Sequence, residues 1–257
     1  MNKLIYIISI FVAFTFLACN KYGGVGTNGK DFSWVEINFD LAYGDQDFEI
    51  NKVYDYLDYQ VKFEKMLLYV SNLYVVNEDG KIIHGKEIYL IDASADHNRL
   101  AFVVPPGVYS KIGFYIGVPI ELNGTDSVLN PDFDASLYSP NHPLSLSNGM
   151  YWTWNSGYRF ILMDGRTNTD PMVDDVFETL LSIHTGKDYS FRGTEASIDL
   201  AAPIKKGGKL NFTFDIESFL NHPDDVIDIA IDNQSHGTNA SLANRLSDNA
   251  IKSVEIK

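Results

Sequence analysis

The chain has a single cysteine, Cys19, in 257 residues, so no disulfide can form within it and its stability has to come from packing. Basic residues are also scarce, 20 against 34 acidic ones. A surface that acidic repels phosphate backbones and anionic headgroups while attracting cations or basic partners, which argues against DNA or RNA as a ligand. Only one long apolar run occurs, at the very start, and none follows that could form a second anchor. Several catalytic and metal-binding patterns are missing as well. There is no HExxH, no GxSxG, no phosphate-binding P-loop and no paired-cysteine zinc motif. The acidic stretch from Asp164 to Asp175 lacks the ligand spacing and terminal glutamate of an EF-hand, and reads as a solvated loop. Nothing singles out a catalytic triad, so an enzyme is not expected.

The apolar run is Leu4 to Ala18, interrupted only by Ser9 and Thr15 and preceded by Lys3. It is short for a bilayer span and has the length of a signal-peptide core. It ends in Phe16-Leu17-Ala18-Cys19, which resembles the bacterial lipobox, with Phe16 where Leu is usual. In that motif the chain is cut before the cysteine and the thiol is acylated. Residues 1–18 are therefore expected to be a lipoprotein signal peptide, and Cys19 the lipidation site. Their removal takes away Lys3 and no acid, leaving 239 residues with 19 basic and 34 acidic side chains, a net charge of −15. The expected location is the bacterial cell envelope, lipid-anchored, on the periplasmic side or the cell surface. Asn20, Lys21 and Tyr22 provide no acidic run after the cysteine, which favours the periplasmic side.

Residues 19–33 read as a flexible tether. Within it Gly24 to Gly29 formally matches GxGxxG, but no strand precedes it and no helical pattern follows, so the dinucleotide reading fails. From Trp34 the pattern changes. Val35, Ile37 and Phe39 alternate with Glu36, Asn38 and Asp40, the period-2 signature of a half-buried strand. Further strand-like runs are predicted at 61–76, 86–93, 100–104, 109–118, 151–163, 176–184, 196–201, 210–216 and 226–231. Turn formers separate them, including Asp79-Gly80, Pro105-Pro106-Gly107, Asp164-Gly165 and Gly207-Gly208. The expected fold is one all-β domain over 34–257, an antiparallel, immunoglobulin-like β-sandwich with long loops and little helix. The best helical candidate is Ser241 to Ile251. Residues 119–148 form a long connection with Pro131, Pro140 and Pro143 and no periodicity, a length that points to function or mobility.

The densest local signal is Gly149 to Phe160, GMYWTWNSGYRF, which holds two of the three tryptophans. In one continuous strand Trp152 and Trp154 would share a face, either filling the core or serving a special purpose. This block resembles the signature of the MbnP-like family, the methanobactin-associated periplasmic proteins. Other segments follow in the family's order: Tyr69-Val70-Ser71-Asn72-Leu73, Tyr89-Leu90-Ile91-Asp92-Ala93, Pro106 to Val118, Ser182-Ile183-His184-Thr185-Gly186, and His236 with Asn239-Ala240 and Asp248-Asn249. The resemblance runs from about residue 34 to 250. It implies an extracytoplasmic β-rich domain that binds copper through histidines and a tryptophan oxidised to kynurenine. It also implies a partner of the di-haem cytochrome peroxidase class that carries out the oxidation. Matched by position, His184 and His236 are the candidate metal ligands, and Trp152 or Trp154 the candidate oxidised residue. Imidazole nitrogen suits copper.

The residues alone allow plainer readings. His184 could simply end a strand, His236 could lie in a polar loop, and His84 and His97 read as surface positions. His142 and His222 precede prolines, which favours extended backbone and nothing more. The alternative function is a surface interaction module that binds glycan or protein through exposed aromatics, with no metal, since 15 tyrosines accompany the tryptophans.

Overall fold

The computed structural model describes residues 31–257, apart from 154, 155, 171, 174, 175, 237 and 238. The expectations for the signal segment, for Cys19, for most of the tether and for Trp154 lie outside the described residues. None of the described helices is long and apolar enough to cross a membrane.

Two large sheets make an all-β sandwich, as the alternating patterns predict. The smaller sheet is five-stranded and is built around Ser33–Tyr43. Val35, Ile37 and Phe39 point inward and are almost fully buried, while their even-numbered neighbours face outward. This strand pairs antiparallel with Arg99–Val104 and parallel with Gly208–Asp215. The parallel pair joins two strands separated by most of the domain, so no hairpin constrains their relative direction. Val254–Ile256 closes the edge beyond Gly208–Asp215.

The larger, ten-stranded sheet runs in the order Arg192–Ala202, Gly107–Ile116, Tyr59–Asn77, Gly157–Asn168, Thr179–Gly186, Gln234–His236. One face packs on the smaller sheet: the Phe114 and Phe212 rings meet across the interface at 5.1 Å, and Phe39 stacks on Tyr89 at 5.3 Å. Burying such a ring is worth roughly 2–3 kcal/mol.

The opposite face is covered by the long connection. Val118, Ala135, Leu144 and Met150 pack on Leu67, Tyr69, Phe160 and Leu162. Tyr69 and Tyr158 donate their hydroxyls to the carbonyls of Pro143 and Leu144, at 2.8 and 2.7 Å. With both faces covered, Met66 to Ser71 are buried without a break. Residues 119–148 are thus the lid of a second core, a role that a search for periodicity cannot detect.

Three local expectations change. The predicted strand 151–163 is a hairpin, Tyr151–Thr153 and Gly157–Asn168. Of 226–231 only Val226 belongs to a strand, and Ile227 and Ile229 enter the core from irregular backbone. Asp164-Gly165 is no turn but lies inside the Gly157–Asn168 strand, at a register shift. A Cβ on Gly165 would come within 2.3 Å of the Lys62 carbonyl oxygen, so the glycine answers a close backbone approach. The predicted helix is present as Ala240–Lys252. Asn239 caps it by accepting from the Leu242 amide, and Leu242, Ala243, Leu246 and Ala250 form its buried stripe.

Candidate functional site

Register decides the site. On the lid-covered face, Leu162 pairs with His184 across the antiparallel ladder, and His184 pairs with His236 across the parallel one. Directly paired residues project to the same side of a sheet. Two histidines from distant parts of the chain therefore stand side by side, with ring centroids 4.9 Å apart at 77°. The next row is Asp164, Ser182 and Gln234. The Gln234–His236 strand is held at the sheet edge by main-chain pairing and by the Ser235 hydroxyl, which donates to the Asn239 carbonyl at the start of the helix.

The short hairpin brings the indole. Trp152 meets His184 edge-on at 6.0 Å and His236 at 6.4 Å. The Arg159 amide donates to the Met150 carbonyl, holding the hairpin over the sheet end. Between 159 and 162 the ladder is irregular, and the Thr185 hydroxyl accepts from the Ile161 amide there. That irregularity lets the Arg159 side chain turn toward His184.

His184 is only 5% exposed, and both of its ring nitrogens are engaged. The Asp164 carboxylate lies 2.8 Å from Nε2 and also accepts from the Ser182 hydroxyl at 2.6 Å. Arg159 Nε donates to Nδ1 at 3.2 Å. An N–H on Nδ1 would oppose that donor, so in the neutral ring Nδ1 accepts from Arg159 and the Nε2–H donates to Asp164. Burial pushes the Asp164 carboxyl upward. Hydrogen bonds from His184 and Ser182, with the charges of His184 and Arg159, outweigh this and hold its pKa below the usual carboxylate value. His236 is more exposed. Burial and then the neighbouring His184 push its pKa below that of an ordinary imidazole, against the pull of Asp164, so it is neutral at pH 7.

A family model of MbnP matches residues 33–243. The chain belongs to the MbnP family. MbnP from Methylosinus trichosporium has a similar structure, with a TM-score of 0.51 and 14% identity, over 74% of this chain and 77% of that one. At that identity the likeness concerns the fold. None of the curated proteins matches. The segment assigned to the MbnP family includes His184, His236 and Trp152, which the fold brings together. Trp154 falls outside the described residues, and His84, His97, His142 and His222 stand apart from the cluster.

Asp164 and Arg159 are the site residues that sequence reading passed over. Asp164 reads as the start of an acidic loop, and Arg159 was only part of the tryptophan block. A strand-period count through Gly165 would have put Asp164 on the same face as Leu162. No sequence signal places Arg159 beside His184.

The donor set suits copper. Two imidazoles stand together, and one has its second nitrogen tied to a carboxylate, the usual arrangement behind a metal-bound histidine. Among the described residues no group of three or more His, Cys, Asp or Glu is placed to hold an ion.

Proposed function

We propose that this protein is a lipid-anchored, extracytoplasmic copper-binding protein of the bacterial envelope, acting in metal acquisition, storage or delivery rather than in catalysis. The observation that carries this reading is the His184–His236 pair beside Trp152, with Asp164 behind His184. His184 and His236 would hold the metal. Copper, when bound, supplies a redox-active cation, and everything else is the work of the chain. Asp164 keeps the His184 proton on Nε2 and leaves Nδ1 as the ring's lone pair. The neutral state of His236 presents a second lone pair without the cost of deprotonation. Trp152 is the residue suited to oxidation to kynurenine, since it contacts both imidazoles. That change breaks the Cγ–Cδ1 bond in a four-electron oxidation followed by hydrolysis: Cδ1 leaves as formate and Cγ becomes a carbonyl carbon. It leaves an aromatic amine and a carbonyl where the intact indole offers no lone pair to a metal. The oxidant would come from a di-haem cytochrome peroxidase-like partner. Anchoring would be through Cys19.

The interaction-module alternative has less support, because Tyr43, Tyr54, Tyr56, Tyr69, Tyr109 and Tyr158 are core residues and form no exposed platform. Two measurements decide the matter. The protein isolated from its own host is analysed for copper and peptide-mapped over residues 149–160. Separately, Cu(I) and Cu(II) are titrated against the unmodified chain and the His184→Ala and His236→Ala variants. Retained copper that is lost in either variant is the expected result. Intact tryptophans with no copper retained after exposure to both ions would sink the proposal in favour of the module.

A further inference from the structure

The one free lone pair of His184 already has an occupant. Asp164 accepts the Nε2–H hydrogen bond, so Nδ1 is the atom left for a metal, and Arg159 Nε sits on it at 3.2 Å. The same guanidinium lies over the Trp152 ring, with Cζ 4.8 Å from the centroid, and donates through Nη1 to the Gly149 carbonyl at 2.9 Å. A cation is therefore held between His184 and Trp152, on the atom a metal cation would use.

We propose that Arg159 is a cationic plug of the site, which has to release His184 Nδ1 before a metal ion can bind there. This rests on the copper reading above and adds a residue that sets affinity and selectivity. Two effects oppose the incoming ion: the hydrogen bond has to break, and the guanidinium charge repels the metal unless it moves away. Release does not require the arginine to leave the hairpin. Its contacts with the Gly149 carbonyl and the Trp152 face can be kept while Nε swings off His184, because they involve other parts of the fork. The charge is what discriminates: a guanidinium that stays on the hairpin repels a divalent ion about twice as strongly as a monovalent one, so Zn(II) is disfavoured relative to Cu(I).

The test compares the unmodified chain with Arg159→Met, which retains length and apolar contact with Trp152 but has neither charge nor donor, and with Arg159→Lys, which keeps the charge without the fork. Cu(I) affinity is measured by competition against a chromogenic chelator, and Zn(II) binding by calorimetry. Arg159→Met should bind Cu(I) roughly tenfold more tightly or better, as expected for loss of a charged hydrogen bond, with a larger relative gain for Zn(II). Arg159→Lys should fall between. In the unmodified chain, nitrogen-15 NMR should show the Arg159 Nε–H and His184 Nδ1 signals moving together as Ag(I) is added. This readout needs no variant to fold. Unchanged or weaker Cu(I) binding by Arg159→Met, with His184→Ala still abolishing it, overturns the plug and leaves the copper site standing. An Nε–H signal that does not respond to Ag(I) overturns it equally. Binding that is indifferent to His184→Ala removes the site itself, and the plug with it.

Discussion

Asp164 and Gly165 illustrate how much turns on single positions. As a dipeptide they signal a turn; in the fold Gly165 admits the Lys62 carbonyl and Asp164 becomes the partner of His184. If Asp164 orients the ring, Asp164→Ala should weaken copper binding by about 10- to 100-fold, the usual cost of losing a carboxylate behind a metal-bound histidine. Asp164→Asn should cost less, because its amide oxygen still accepts from Nε2–H. The check is the chelator competition run on both variants, with melting curves to show that each is folded. Equal affinity in all three proteins would leave Asp164 with no orienting role. The histidines themselves were legible as candidates through their motif positions. Arg159 was not, since a guanidinium turned inward by an irregular ladder leaves no trace in residue order.

Among the elements, the 119–148 connection and the 151–168 hairpin matter most to the site. The connection covers one face of the larger sheet, and the hairpin brings Trp152 to its end. Tyr158 links the two, being fully buried and donating to the Leu144 carbonyl. Tyr158→Phe leaves that carbonyl buried without its donor, and should lower stability by about 1–3 kcal/mol in urea unfolding. Loss of stability within experimental error of zero would mean that the lid is not held by this bond. Strand positions were legible where residues alternate or run continuously apolar, as at Val35 to Phe39 and Met66 to Ser71. Segment 226–231 misled because Ile227 and Ile229 are buried without belonging to a ladder: alternating burial does not require strand pairing.

At the scale of the molecule, a chain with 34 acidic residues and a net charge of −14 places its few cations with care. Arg245, on the terminal helix, grips Asp225 through two nitrogens at 2.7 and 2.8 Å and Asp232 through a third at 2.6 Å. The hydrogen bond to Arg245, ahead of its charge, holds the Asp225 pKa below the ordinary carboxylate value. A depressed acid stabilises the fold at pH values above its unfolded pKa of about 4, and that contribution fades as pH falls through the lower folded value. Arg245→Met should therefore reduce the urea midpoint at pH 7 and narrow its difference from the parent protein below about pH 4. A gap that stays constant between neutral and acid pH would rule out the ion pair as its source. The pair also steadies the helix that follows the Gln234–His236 strand, and so bears on where His236 stands.

Residue order by itself determined the all-β class, the inward faces of the principal strands, the terminal helix, and the family through motifs spread over more than half the chain. These follow from local rules: side-chain period, turn chemistry and capping act over a few neighbours. The tertiary structure alone decided that two strand pairs run parallel, that the long loop is a lid, and that His184, His236, Trp152, Asp164 and Arg159 meet. Those facts depend on strand order and register, set by the total burial of two cores rather than by any segment's own preference.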